Sequence, residues 1–218
     1  MDSVDKKILA HYAKKDVKIL KIEDQNGEND LGKALNFLLK GIRDSDLKLD
    51  QTKPLKIFAL GVFGGRLDHT FSSLNLLLKY SLLYHKLIRQ KKMNITFSDS
   101  YSFGTIFLPG KNLYHRSERF EQKDFCGIIP LPNRGLPANI HTTGLKWNIT
   151  DSNPLCFGSF ISSSNSFAHN QISVQTDEPL FFTSSLFHGS WNKMKHTLVS
   201  AINLGKNFIL SRKMNHLL

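Results

Sequence analysis

Apolar positions in the first 92 residues change their spacing from one segment to the next. Residues 4–15, VDKKILAHYAKK, carry the spacing of a helix, and residues 16–22, DVKILKI, read as a short strand. Residues 29–42 place Leu31, Leu35, Leu38, Leu39 and Ile42 on one helical stripe. A polar connector follows, and then LKIFALGVF, residues 55–63, a near-continuous apolar run that predicts a strand buried on both faces. A helix is predicted over residues 69–90. Strand alternating with helix is the pattern of a parallel α/β sheet.

The texture changes after residue 92. MNITFSD, SFGTIFLPG, FCGIIPL, LCFGSFISSS, QISVQTD and LFFTSSLF are short β-branched or aromatic runs, punctuated by Gly, Pro, Asn and Asp. They predict an antiparallel all-β half, sandwich or barrel-like. The chain therefore divides into a partial α/β domain (1–92), a β-sandwich (93–187) and a tail (188–218). In the tail Leu198, Val199 and Ile202 have helical spacing, which Gly205 interrupts. One reading is an amphipathic helix docking on an anionic membrane or on an exposed sheet edge. The favoured one is a poorly ordered segment.

Composition narrows the class. The 218 residues are 40% hydrophobic, enough for a sizeable core, and no run reaches the roughly 18 apolar residues of a membrane span. The N-terminus is charged from Asp2 onward and has no apolar signal core, which predicts cytoplasmic residence. Cys126 and Cys156 form no CxxC pair and read as buried thiols. The net charge of +11 raises nucleic-acid binding, but Lys193, Lys195, Lys206, Arg212 and Lys213 put five of those charges in the acid-free tail. The remaining +6 suits an anionic small substrate equally well, and no nucleic-acid partner is predicted.

Candidate chemistry concentrates where strands meet helices. In GVFGGRLDH a strand breaks at Gly64-Gly65, exposes Arg66 and Asp68, and enters a helix. Such a turn admits a bulky anion, the helix start favours negative charge, Arg66 can clamp phosphate oxygens, and Asp68 can hold magnesium. The alternative is Asp68 as a helix N-cap with Arg66 on the surface. EDQNGENDLGK, residues 23–33, also follows a strand and opens a helix. Asp30 and Lys33 lie one turn apart there, with Asp24 and Gln25 on the preceding loop; a solvated Asp–Lys pair is the alternative. In the β half, Lys146 beside Trp147 reads as a strand with one exposed face. SSSNSF, residues 162–167, offers hydroxyls and an amide to a polar aromatic ligand, or is an ordinary polar turn.

Together GGRLDHTFSSLN, the DQ and D..K pattern, TTGLKWN and SSSNSF…ISVQTDEPLFF resemble, in order, the motifs of the thiamine pyrophosphokinase family. The resemblance runs from Asp2 to about Leu186. It implies an α/β nucleotide-binding domain followed by a thiamine-binding β-sandwich, in a homodimer whose active site lies between chains. It also implies transfer of an intact pyrophosphoryl group from ATP to the thiamine hydroxyl, with release of AMP. Asp2, Asp30 and Asp68 would then be the catalytic, Mg2+-holding carboxylates. Gln25, Lys33, Gly65 and Arg66 would contact ATP, and Ser164, Asn165 and Phe182 would contact thiamine.

Three departures stand beside the resemblance. The chain begins MDS, so Asp2 matches only the second aspartate of a Gly-Asp-x-Asp-Ser motif, and the upstream Ala-Asp-Gly-Gly segment has no counterpart. The expectation is an N-terminally truncated enzyme, with a catalytically incompetent form that retains thiamine binding as the alternative. The loop between Gln25 and Asp30 is one residue longer than the pattern. Phe182 stands where vertebrate members have tryptophan.

Overall fold

A computed structural model describes residues 6–14, 27–43, 53–116, 124–131, 137–185 and 209–211. The chain forms two units, Met1–Lys48 and Leu49–Leu218. The first contains helices α1 (Lys6–Ala13) and α2 (Asp30–Arg43). Asn29 starts α2: its side-chain oxygen accepts a hydrogen bond from the Gly32 N–H at 2.9 Å, an N-cap that satisfies a donor the helix itself cannot. Leu35, Leu38 and Leu39 form the predicted stripe and are buried. The strand expected over residues 16–22 lies outside the described residues.

In the second unit, β1 (Leu55–Leu60) leads through α3 (Leu67–Leu83) and α4 (His85–Arg89) to β2 (Met93–Ser98). The two strands pair parallel, Leu55 opposite Met93 through Leu60 opposite Ser98. The helix expected over 69–90 is broken at Tyr84, which leaves helical backbone geometry at φ −103°, ψ 20°. Buried Leu76, Leu77 and Tyr80 hold α3 down, and the Ser73 hydroxyl donates to the Val62 carbonyl at 2.8 Å. β1 is not buried on both faces as its apolar run predicts. Ile57 and Ala59 are buried, whereas Lys56 and Phe58 on the opposite face are exposed.

The remaining strands are β3 (Ser102–Phe107), β4 (Gly110–His115), β5 (Phe125–Pro130), β6 (Ile140–Thr143), β7 (Ser162–Ser166), β8 (Gln171–Thr176), β9 (Leu180–Ser185) and β10 (Ile209–Ser211). They assemble with β1 and β2 into a seven-stranded sheet, β10-β1-β2-β3-β9-β5-β7, and a three-stranded sheet, β4-β8-β6. β2 therefore pairs parallel with β1 on one side and antiparallel with β3 on the other, and one sheet runs through both textures of the sequence. Its antiparallel half and the small sheet enclose a common core. Phe107, Cys126, Ile128, Leu180 and Phe182 come from the large sheet, and Ile140, Ile172 and Val174 from the small one. This is an α/β layer continued into a β-sandwich, as the sequence predicts.

Three further differences have local causes. LCFGSFISSS is not one strand: Cys156 pairs with Phe160 across a tight turn, and β7 begins only at Ser162. β4 and β6 carry no apolar run because their outward positions are Lys111, Leu113, His115, His141 and Thr143. In the tail, expected to be poorly ordered, Ile209–Ser211 pair parallel with Phe58–Leu60. An edge strand presents unpaired backbone groups, and β10 satisfies those of β1.

The core also sets an alkaline limit. Burial pushes the Tyr114 phenol from its ordinary 10.0 up to about 12, with the neighbouring Cys126 and Asp124 adding to the shift and Arg116 opposing it. Burial likewise pushes the Cys126 thiol from 9.0 up to about 12, again with Arg116 opposing. Both groups stay protonated when folded but ionise when unfolded. Their contribution is therefore complete below about pH 9 and is lost as pH rises toward 12, by up to about 1.4 kcal/mol per pH unit for each group. Urea midpoints should fall between about pH 9 and pH 11, less steeply in Tyr114→Phe. A midpoint flat over that range would contradict the buried, protonated pair.

Candidate functional site

The carboxyl ends of β1 and β2 are tied together. The Gly61 and Val62 N–H groups both donate to the Ser98 carbonyl, at 2.8 and 3.2 Å. Just beyond, Gly64 and Gly65 take φ of +79° and +69°, a region costly for any side chain. A Cβ built on Gly64 meets nothing within 4 Å. Conformation rather than crowding therefore demands glycine there, and the space above the turn is open. The Thr70 hydroxyl braces the turn by accepting from the Gly64 N–H at 3.1 Å.

Arg66, not Asp68, occupies the N-cap of α3, and its side chain makes no capping hydrogen bond. Asp68 lies within the first turn, so its expected alternative role as the cap does not hold. The two side chains instead form a two-pronged pair, Nε to Oδ1 at 3.1 Å and Nη2 to Oδ2 at 2.6 Å. They remain 70% and 62% exposed. The hydrogen bond from Arg66 draws the Asp68 carboxyl below its ordinary value, and the same bond raises Arg66. A fixed cation and a fixed anion thus meet on an open turn beside a helix start whose N-cap residue makes no capping hydrogen bond. Anionic oxygens suit Arg66 and the helix start; a hard cation suits Asp68.

Asp30 and Lys33 occupy the first turn of α2 in the first unit, Asp30 exposed and Lys33 half-buried. Asp2 and Gln25 lie outside the described residues. Among the described residues no group of three or more His, Cys, Asp or Glu converges as a ready metal cage. Magnesium needs no such cage, since it is commonly held by one or two carboxylates together with substrate phosphates and water. Asp68 on its open turn fits that donor set.

The residues expected at the thiamine end sit on the sandwich. Ser164 is exposed on β7. Asn165 beside it is buried, and its amide bonds the backbone of Trp147. Phe182 departs from expectation. It is 0% exposed and stacks on Phe107 at 4.5 Å between centroids and 10° between planes. Its ring also lies 5.0 Å from that of Tyr114, so it belongs to the inter-sheet core and presents no face to a ligand. Trp147 is an exposed aromatic here, 56% exposed, with the Lys146 ammonium 4.5 Å from its ring centre. The GLKWN motif contains that pair, but the strand with one exposed face expected there does not form: β6 ends at Thr143, and Lys146 and Trp147 lie in the bend that follows.

Comparison with known proteins finds matches to both parts of the chain. The family described as "Thiamin pyrophosphokinase, catalytic domain" matches residues 1–92, and "Thiamin pyrophosphokinase, vitamin B1 binding domain" matches residues 115–181. Thiamine pyrophosphokinase 1 of Oryza sativa subsp. japonica is 30% identical over 189 residues, covering 85% of this chain and 64% of the relative. Thiamine pyrophosphokinase 2 of Arabidopsis thaliana is 29% identical over 187 residues, 85% of this chain and 63% of the relative. The chain therefore spans somewhat under two thirds of those relatives. Yeast thiamin pyrophosphokinase shares the fold at a TM-score of 0.67 and 21% identity, covering 85% of this chain and 67% of that structure. Two consecutive domain matches, to residues 1–92 and 115–181, show that the chain belongs to the thiamin pyrophosphokinase family.

Proposed function

We propose that the protein transfers a pyrophosphoryl group from ATP to the hydroxyl of thiamine, giving thiamine diphosphate and AMP. The observation that carries this reading is the open Gly64–Asp68 turn at the carboxyl end of a parallel strand, with Arg66 and Asp68 exposed on it. Ligands of open α/β sheets gather at that end of the strands. The thiamine hydroxyl oxygen forms a bond to the β-phosphorus as the bond from that phosphorus to the α-phosphate bridging oxygen breaks; AMP carries that oxygen away, and the hydroxyl proton is released to solvent. Such a transfer asks the protein for in-line positioning and charge neutralisation more than for covalent chemistry.

Arg66 and the N-terminal amides of α3 hold phosphate oxygens, and Gly65 lets the backbone come close to them. Asp68 is the carboxylate for Mg2+, with Asp2 and Asp30 as the further carboxylates the family pattern implies. Gln25 and Lys33 complete the ATP contacts in the same pattern. Bound Mg2+ supplies neutralisation of the polyphosphate charge. Ser164 belongs to the thiamine end. A homodimer with the site between chains is part of the reading, supported by the motif resemblance, and cytoplasmic residence is proposed with it. Among the described residues no helix is long and apolar enough to cross a membrane.

The direct test is a coupled assay for AMP with thiamine and Mg-ATP. AMP and thiamine diphosphate should appear in equal amounts. Formation of ADP with thiamine monophosphate would overturn the proposed transfer, and so would thiamine binding without AMP release.

A further inference from the structure

Asn165 is 4% exposed, and every hydrogen-bonding position of its amide is taken inside the protein. Its Oδ1 accepts from the Trp147 N–H at 3.3 Å and from the Ser166 N–H at 2.8 Å. Its Nδ2 donates to the Trp147 carbonyl at 2.7 Å and to the Ser162 hydroxyl at 3.1 Å. An amide has two donor hydrogens and one oxygen with two lone pairs, so nothing remains for a ligand. Both polar groups of the Trp147 backbone are thereby fixed to one buried side chain. The neighbouring peptide is fixed as well, the Lys146 N–H donating to the Ser166 carbonyl at 2.8 Å. On the other side of the loop Asn148 Oδ1 accepts from the Leu145 N–H at 3.1 Å. A rigid backbone thus carries a mostly exposed indole, and the Lys146 ammonium lies 4.5 Å from the ring centre, within cation–π range.

We propose that Trp147 is a platform for the cationic ring of the substrate, that the Lys146 ammonium competes with that ring for the indole face, and that Asn165 is a positioning residue acting through Trp147. This rests on the reading that the chain binds thiamine, whose thiazolium is a permanently cationic aromatic ring. An indole face that already attracts an ammonium attracts a flat, weakly hydrated cation more strongly, because less water must be stripped from it. Lys146 has a long flexible stem and can leave for solvent when the ring arrives. Ser164 is exposed on β7 and can meet the uncharged part of the ligand, whereas Asn165 acts only by fixing the indole.

The chain has two tryptophans, so Trp191→Phe leaves Trp147 as the reporter of fluorescence. In that background thiamine and N-methylthiazolium should quench the emission, and neutral thiazole should not. Equal quenching by the neutral and cationic rings would overturn the platform. Lys146→Met should tighten thiamine binding by about three- to tenfold. That gain should persist in about 1 M KCl, where exposed charges are screened beyond about 3 Å. A gain abolished by salt would mean simple repulsion, and a weaker complex would mean that Lys146 itself touches the ligand; either overturns the competition. Asn165→Ala should raise the KM for thiamine about tenfold, leave that for ATP unchanged and lower the emission anisotropy of Trp147. Should that variant fail to fold, Ser162→Ala, which removes one partner of the amide, should move both readouts the same way and less far. Unchanged anisotropy in whichever variant folds would overturn the positioning role. Calorimetry on the wild-type chain separates the two failures. Thiamine binding without a change in Trp147 emission defeats this inference alone. No heat with thiamine, while N-methylthiazolium still quenches, defeats the thiamine reading and leaves the platform standing.

Discussion

Asp68→Asn should lower AMP release by about 10²–10³-fold while the melting temperature stays within about 2 °C of the wild type. The carboxylate stands on an open turn, 62% exposed, paired with an equally accessible Arg66, so the fold asks little of it. Asparagine keeps its shape and can still accept one hydrogen bond from the guanidinium. What it loses is the charge that a hard cation needs. Arg66→Ala should behave alike, with the larger part of its defect in the KM for ATP, because it removes the proposed clamp on phosphate oxygens. The two defects should be less than additive in the double variant, since each group is the other's ion-pair partner. AMP release within threefold of wild type in Asp68→Asn would remove Asp68 from the machinery, and loss of folding in either variant would make the turn structural.

The turn was legible because it breaks local rules together: two glycines, two opposite charges and an abrupt change of period cannot be accounted for by packing. The α2 stripe and the strands β1, β2, β3, β5, β8 and β9 were legible for the opposite reason, since their apolar runs follow packing needs. β4 and β6 were not, because the small sheet has a polar outer face and its inward residues Asn112, Tyr114 and Thr142 do not stand out as apolar. Nor does composition reveal that β2 joins two kinds of sheet. A strand's partners on either side are fixed by tertiary pairing, and only the parallel neighbour can be inferred from the helix that precedes it. Asn165 is the instructive residue at the site. Its motif singles it out, and the structure ties its amide to the backbone of Trp147, a link that residue types alone do not carry.

Phe182 shows the same limit at the level of the pleat, and it carries the largest expected effect on stability. Adjacent residues of a strand point to opposite faces, so one position of offset moves a ring between the core and another surface. On β9 the alternation puts Leu180, Phe182 and Ser184 on the buried side and leaves Phe181 half-buried on the other. Phe181 is the ring that lies over Gly104 and meets Phe63 edge-on at 6.1 Å between centroids. Phe182 faces the sandwich core, opposite Thr105 and Ile128 in register and stacked on Phe107. Phe182→Ala should therefore cost about 3–5 kcal/mol through lost burial and the cavity left among Phe107, Tyr114 and Phe103. For a chain of this length that lowers the melting temperature by roughly 10 °C. Phe182→Leu, which refills part of the space, should cost about half as much. Below the transition, calorimetric titration with thiamine should give nearly the wild-type affinity, because the ring touches no ligand. A variant with unchanged urea midpoint and weakened thiamine binding would return Phe182 to the ligand surface and contradict its place in the core.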